Sequence, residues 1–212
     1  MRWALCLLAA CGFELRPSTG GSDAPIDASI DAPPDARVFD PAADCPGSYP
    51  ITLAGQTSRY RIILGGQPWW VHGADCNDDR AGFTHLAAVD NASELMAIMT
   101  RLNATTGLTG GQGNAYVGGV QLRNQTTDSA GWLAITGGPL LAMWDAGEPN
   151  DGGDNIENSA ENFTMLERTR TSLIDVPGTA SFSAMCECDG NPVDAAAAAA
   201  IIASMPAPPA LR

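Results

Sequence analysis

Apolar and polar positions follow recognisable periods only through the middle of the chain, from about Cys45 to Asp189. Tyr60-Arg61-Ile62-Ile63-Leu64, ended by Gly65-Gly66, has the composition of an early strand. A helix is expected from Trp69 to about Asp79, and a second from about Ala92 to Leu102. In the second, Leu95, Ile98, Met99 and Leu102 fall on one helical face and read as core packing, Asn91 stands where a cap belongs, and Glu94 completes a capping box. Ala115 to Val120 reads as a buried strand, and Gly131 to Ile135 as another, with Gly137-Gly138-Pro139 as its turn. Phe163 to Arg168 and Ser181 to Cys188 look like closing strands. Between these, Asp145 to Asn162 is dominated by Gly, Asp, Asn, Glu, Ser and Ala. A stretch this long without a period is functional or disordered far more often than it is a plain connection.

The flanks read differently. Met1-Arg2-Trp3 followed by the apolar run Ala4 to Ala10 has the order of a secretory signal, and Leu8-Ala9-Ala10-Cys11 resembles a bacterial lipobox in which Cys11 is acylated after cleavage. Residues 1–11 are therefore expected to direct export, with a plainly secreted protein as the alternative. No later segment is long and apolar enough to span a bilayer, so attachment would be through lipid, to the outer membrane or cell surface. Residues 12–44 carry Asp23, Asp27, Asp31, Asp35, Asp40 and Asp44 among Ala, Pro and Ser with few large apolar side chains. Such a stretch buries too little surface to offset its ordering entropy and reads as an extended acidic linker. Residues 45–190 form the expected domain, and 191–212 an Ala/Pro tail of low complexity, with a short helix possible over Ala195 to Ala200, to which no function is assigned.

With 212 residues and 45% hydrophobic content, the chain can hold one domain with a proper core. A formal net charge of −13, with few and scattered basic residues, argues against a nucleic-acid partner and for cations. Apart from Cys6 and Cys11, four cysteines remain: Cys45, Cys76, Cys186 and Cys188. An even number in an exported chain favours disulfides. Three pairings are possible. Cys186 and Cys188 face the same side of a strand, so each can meet a different partner, and the expected pairs are Cys76–Cys186 and Cys45–Cys188. Zinc held by these cysteines is disfavoured because they form no Cys-x-x-Cys knuckle. His72 and His85 read as solitary residues, structural or solvent-facing.

Candidate chemistry concentrates late in the chain. Trp144-Asp145-Ala146-Gly147-Glu148-Pro149-Asn150-Asp151 sets a carboxylate and a carboxamide on either side of a proline. Glu161-Asn162, Ile174-Asp175 and Cys186-Glu187-Cys188-Asp189 follow, an order of oxygen donors that suits a hard cation such as calcium. This order resembles a C-type lectin-like domain. The resemblance covers approximately Cys45 to Asp189: Trp69 seven residues before Cys76, His85-Leu86-Ala87 leading to Ser93-Glu94, Tyr116-Val117-Gly118-Gly119 at the central strand, Trp144 with Glu148-Pro149-Asn150, and the closing Cys186-Glu187.

The resemblance implies an α+β fold with two small antiparallel sheets, two flanking helices and a long irregular loop region. It also implies Ca2+ held by Glu148, Asn150, Glu161 and Asp175 around a cis-proline at Pro149, with sugar hydroxyls completing the coordination. The Glu-Pro-Asn form implies mannose- or glucose-like equatorial hydroxyl pairs. Two positions depart from the pattern. Ile174 replaces an expected Asn, removing one amide oxygen, and Phe163 and a residue near Gly178 stand where an inner disulfide belongs. Asp151, Asp154 or Asn155 are candidates to replace the missing donor. The expected function is calcium-dependent carbohydrate binding, with glycans or cell-surface proteins as partners. The alternative is a calcium-independent protein-binding or adhesion module. Glu148, Glu161 and Asp175 also admit a glycosidase reading, but no deep aromatic cleft is evident, and binding without catalysis is expected.

Overall fold

The computed structural model describes residues 38–110, 113–152 and 161–205. The signal-like segment with Cys11, most of the acidic linker, Asp154 and Asn155 lie outside the described residues. The elements, in order, are α1 (Pro41–Asp44), β1 (Ile51–Thr52), β2 (Arg59–Gln67), α2 (Trp69–Asp79), β3 (Thr84–Leu86), α3 (Ala92–Asn103), β4 (Asn114–Gln121), β5 (Trp132–Ala134), β6 (Phe163–Glu167), β7 (Leu173–Val176), β8 (Phe182–Cys188) and α4 (Ala195–Ser204).

Local chemistry accounts for the helices. Asn91 accepts the Glu94 backbone N–H at 2.9 Å. The Glu94 carboxylate reaches back to the N–H of Asp90, one residue before the cap, at 3.0 Å. The stripe Leu95, Ile98, Met99 and Leu102 is buried as expected. In α2, Trp69, His72 and Cys76 face inward, and the Trp69 indole N–H donates to the Val117 carbonyl at 2.9 Å, fixing the helix to β4.

The strands run β1-β2-β8-β4-β6-β7, with β3 beside β8 and β5 beside β4. The expected two antiparallel sheets are present as two sets, β1-β2-β8-β3 and β5-β4-β6-β7, but they are joined. The joint is a short parallel ladder in which Ala115 and Tyr116 of β4 pair with Ser183 and Ala184 of β8. Gly118 sits where the two sets close on one another: its N–H donates to the Ala87 carbonyl at 2.8 Å, and a Cβ there would stand 2.5 Å from the Leu86 carbonyl oxygen. Only a glycine allows that approach. β2 does not end at Gly65-Gly66 as expected; it continues to Gln67 through an irregularity after Ile63, which is how glycines within a strand are accommodated.

Both disulfides pair as expected, Cys45–Cys188 and Cys76–Cys186, with Cα–Cα distances of 5.9 Å and 5.5 Å. Two departures lie at the domain's edges. The last residues of the expected linker are structured: Asp40 caps α1, Phe39 stacks on Phe83 at 5.5 Å, and Asp44 pairs with Arg80 at 3.6 Å. The Ala/Pro tail contributes α4, capped by the Asp194 carboxylate, which accepts from Ala196 and Ala197 N–H. Ala197 and Ala200 are buried in the main apolar cluster, since a methyl side chain lets the helix lie close to β4.

Candidate functional site

The loop after β5 is anchored before it becomes irregular. Trp144 packs edge-on against Trp132 at 4.8 Å and forms a parallel bridge with Leu173, and the Asp145 N–H donates to the Leu173 carbonyl at 2.9 Å. The Asp145 carboxylate receives the Ser172 hydroxyl at 2.9 Å and the Arg170 guanidinium. The Glu-Pro-Asn segment therefore leaves directly from the start of β7. The peptide bond between Glu148 and Pro149 is cis.

β7 decides what meets this segment. Its side chains alternate, so Ile174 and Val176 enter the main core cluster while Asp175 faces the other way. Asp175 is 2% exposed, and its carboxylate accepts the backbone N–H of Asn150 at 3.0 Å and of Asp151 at 2.9 Å. Glu161 closes the loop from its far end: its carboxylate accepts the Gly152 N–H at 2.7 Å, while its own N–H donates to the Asp151 carboxylate at 2.8 Å. The Asn150 carboxamide donates to Glu148. Glu148, Asn150, Glu161 and Asp175, spread over 28 residues of sequence, are thus linked around one loop.

Three carboxylates at such close quarters disturb one another. Glu148 is pushed up to about 7, first by burial, then by its hydrogen bond to Asp175 and by the charges of Asp175 and Glu161. Burial, followed by the charges of Asp175 and Asp151, also raises Glu161, against the pull of the Gly152 N–H. Arg170 opposes the shift at Glu148 only as the smallest of the influences named there. An all-oxygen donor set carrying more negative charge than Arg170 offsets fits a hard divalent cation; Asp151, as buried as Asp175, accepts the Glu161 N–H beside it. The loop carboxylates are not drawn fully together. Among the described residues, His85, Glu187 and Asp189 are the group that brings three ligand atoms within 4.8 Å of one another.

Two sequence departures acquire physical reasons. Ile174 is a core residue, 6% exposed, so this position contributes packing instead of an oxygen. The Phe163 ring lies 4.6 Å from Trp69 and is pressed against Gly178, where a Cβ would also come within 2.8 Å of the Trp70 ring, so aromatic packing fills the position at which the resemblance expected a cysteine. His85 is corrected: it is neither solitary nor solvent-facing, but fully buried with its Nε2 3.0 Å from Asp189. Asn162 is 3% exposed, with its carboxamide donating to Ser204 of α4.

No protein-family model and no curated protein sequence matches the chain. Solved structures do. The cow C-type carbohydrate-recognition domain of CD23, determined in the presence of a GlcNAc2Man3 oligosaccharide, superposes with a TM-score of 0.52 at 19% identity, over 68% of this chain and 95% of that one. The C-type lectin CEL-I from Cucumaria echinata gives 0.53 at 18% identity, over 68% and 96%. The fold is C-type lectin-like. A calcium-independent type II antifreeze protein gives a TM-score of 0.51 at 20% identity, over 68% of this chain and 94% of that one. The C-type lectin-like fold thus occurs in carbohydrate-recognition domains and in a protein that works without calcium. Among the described residues of this domain, no helix is long and apolar enough to cross a membrane.

Proposed function

We propose that this chain is a calcium-dependent carbohydrate-binding domain, exported and tethered at a membrane surface through acylated Cys11. The observation that carries the reading is the meeting of Glu148, Asn150, Glu161 and Asp175 around one loop, with Glu148 and Glu161 both raised by burial and then by their neighbours' negative charge. These four residues would hold the ion, and calcium would supply open coordination positions for a pair of neighbouring sugar hydroxyls. Asp175 acts from below by holding the backbone of Asn150 and Asp151. Glu148 and Glu161 accept hydrogen bonds from the hydroxyls, and the Asn150 carboxamide donates one, exchanging its present contact with Glu148. The domain binds its glycan without cleaving it. A shallow polar site holds a monosaccharide weakly, so useful affinity comes from many copies on one surface.

A second reading is favoured by Ile174. Its side chain is spent in the core, leaving the shell one amide oxygen short, which suits a calcium-independent protein-binding or adhesion module using the same loop. A glycan array probed with and without a calcium chelator separates the two. Binding to mannose- or glucose-type glycans that the chelator abolishes supports the first. Binding to a cell-surface protein that the chelator leaves intact supports the second.

A further inference from the structure

Away from the loop, His85, Glu187 and Asp189 gather where β3 meets the end of β8. Strand register produces the group: His85 is the antiparallel partner of Glu187, and Asp189, two residues on, faces the same side. His85 is fully buried, and Glu187 is 2% exposed.

A group outside the cluster orients the imidazole. Its Nδ1 lies 2.8 Å from the Leu86 carbonyl oxygen, which can only accept, so Nδ1 carries the proton. Nε2 then faces Asp189 Oδ1 at 3.0 Å, a contact that a proton or a metal ion between the two atoms makes attractive. A backbone carbonyl on the other ring nitrogen is also how metal-ligating histidines are commonly held. Glu187 also accepts the Ala88 N–H at 3.0 Å and Asp189 the Asn191 N–H at 2.8 Å, contacts that hold both carboxylates in place beside the imidazole.

We propose that His85 Nε2, Glu187 and Asp189 form a binding site for a zinc-class divalent ion that pins β3 to the end of β8. Zinc–nitrogen and zinc–oxygen bonds of about 2.1 Å place tetrahedral donors about 3.4 Å apart. The present spacings, from 3.0 Å to no more than 4.8 Å, bracket that value. A nitrogen donor beside two carboxylates selects zinc over calcium, which prefers oxygen throughout. The Asp189 side chain is 10% exposed and marks the edge from which the ion enters and water fills the remaining position. The site is independent of the Glu148 loop.

The test uses the full chain, stripped with a chelator, reloaded with zinc chloride and freed of excess metal by gel filtration before its zinc is counted. One zinc per chain is expected. Glu148→Gln retains it, while His85→Gln and Asp189→Asn weaken it by about tenfold or more. Cobalt(II) loaded in the same way gives visible ligand-field bands that both variants lose. If His85→Gln fails to fold, the near-isosteric Asp189→Asn and the cobalt spectrum of the unaltered chain carry the test. Unaltered protein that retains no zinc and shows no cobalt bands overturns the proposal. So does zinc held undiminished by every variant that folds.

Discussion

The carboxylate of Asp175 holds the backbone of Asn150, 25 residues upstream, by accepting its N–H at 3.0 Å. The same carboxylate takes the N–H of Asp151 at 2.9 Å, so one buried side chain sets the course of the loop that carries Glu148 and Asn150.

Removing that carboxylate should therefore disturb loop and stability together. Asp175→Ala leaves the two backbone donors without their acceptor, and the expected loss is about 1–3 kcal/mol. Urea unfolding measures it. Asp175→Asn, which keeps one acceptor oxygen, should fall between Asp175→Ala and the unaltered chain.

Glu148 makes the calcium-free domain and its calcium affinity respond to pH in opposite senses. Its folded value of about 7 lies above the ordinary 4.5, so the calcium-free folded state binds the extra proton. Its contribution to stability is complete below about pH 4.5 and is lost as pH rises through about 7. Calcium requires the deprotonated carboxylate, so affinity should fall on acidification by up to about tenfold per pH unit below 7. Calcium titrations at about pH 6 and about pH 8, with proton release followed in parallel, check both the direction and its origin.

Phe163 joins α2 to the turn before β8 through packing alone. Phe163→Ala should cost about 3–5 kcal/mol, because the ring that spans Trp69, Trp70 and Gly178 leaves a cavity. Gly178→Ala should also destabilise, from overpacking against the same ring. Thermal unfolding of the two variants, compared with a surface control such as Val38→Ala, measures both effects; Val38 is 86% exposed.

The Cys76–Cys186 bridge spans 110 residues of sequence. Chain entropy assigns a loop of that size about 4.7 kcal/mol, so Cys76→Ser should lower the denaturation midpoint markedly under oxidising conditions. Under reducing conditions, the difference between the variant and the unaltered chain should shrink.

What the sequence made legible was chiefly local. The cap at Asn91, the Glu94 box and the stripe from Leu95 to Leu102 specify α3 within a dozen residues, and the structure places them so. The Glu-Pro-Asn loop was readable only through its family resemblance, because nothing in its composition points to Asp175 or Glu161 as its neighbours. β7 escaped notice because a strand of four residues shows too little alternation to stand out. The alanines of α4 allowed a short helix over Ala195 to Ala200, but their uniformity looks like low complexity and hid both its extension to Ser204 and the core role of Ala197 and Ala200. The pairing of His85 with Asp189 depends on the β3–β8 register, which links residues 104 apart and leaves no local signal. The alternation of Glu187 and Asp189 about Cys188 was the available hint.

Calorimetric titration of calcium into the purified chain at neutral pH tests the central claim most directly, with Glu148→Gln and Asp175→Asn measured beside it. Saturable binding at the loop, weakened by about tenfold or more in each variant and strengthening with rising pH, is the expected result. Absence of calcium uptake by the unaltered chain, or uptake that neither substitution changes, would contradict it.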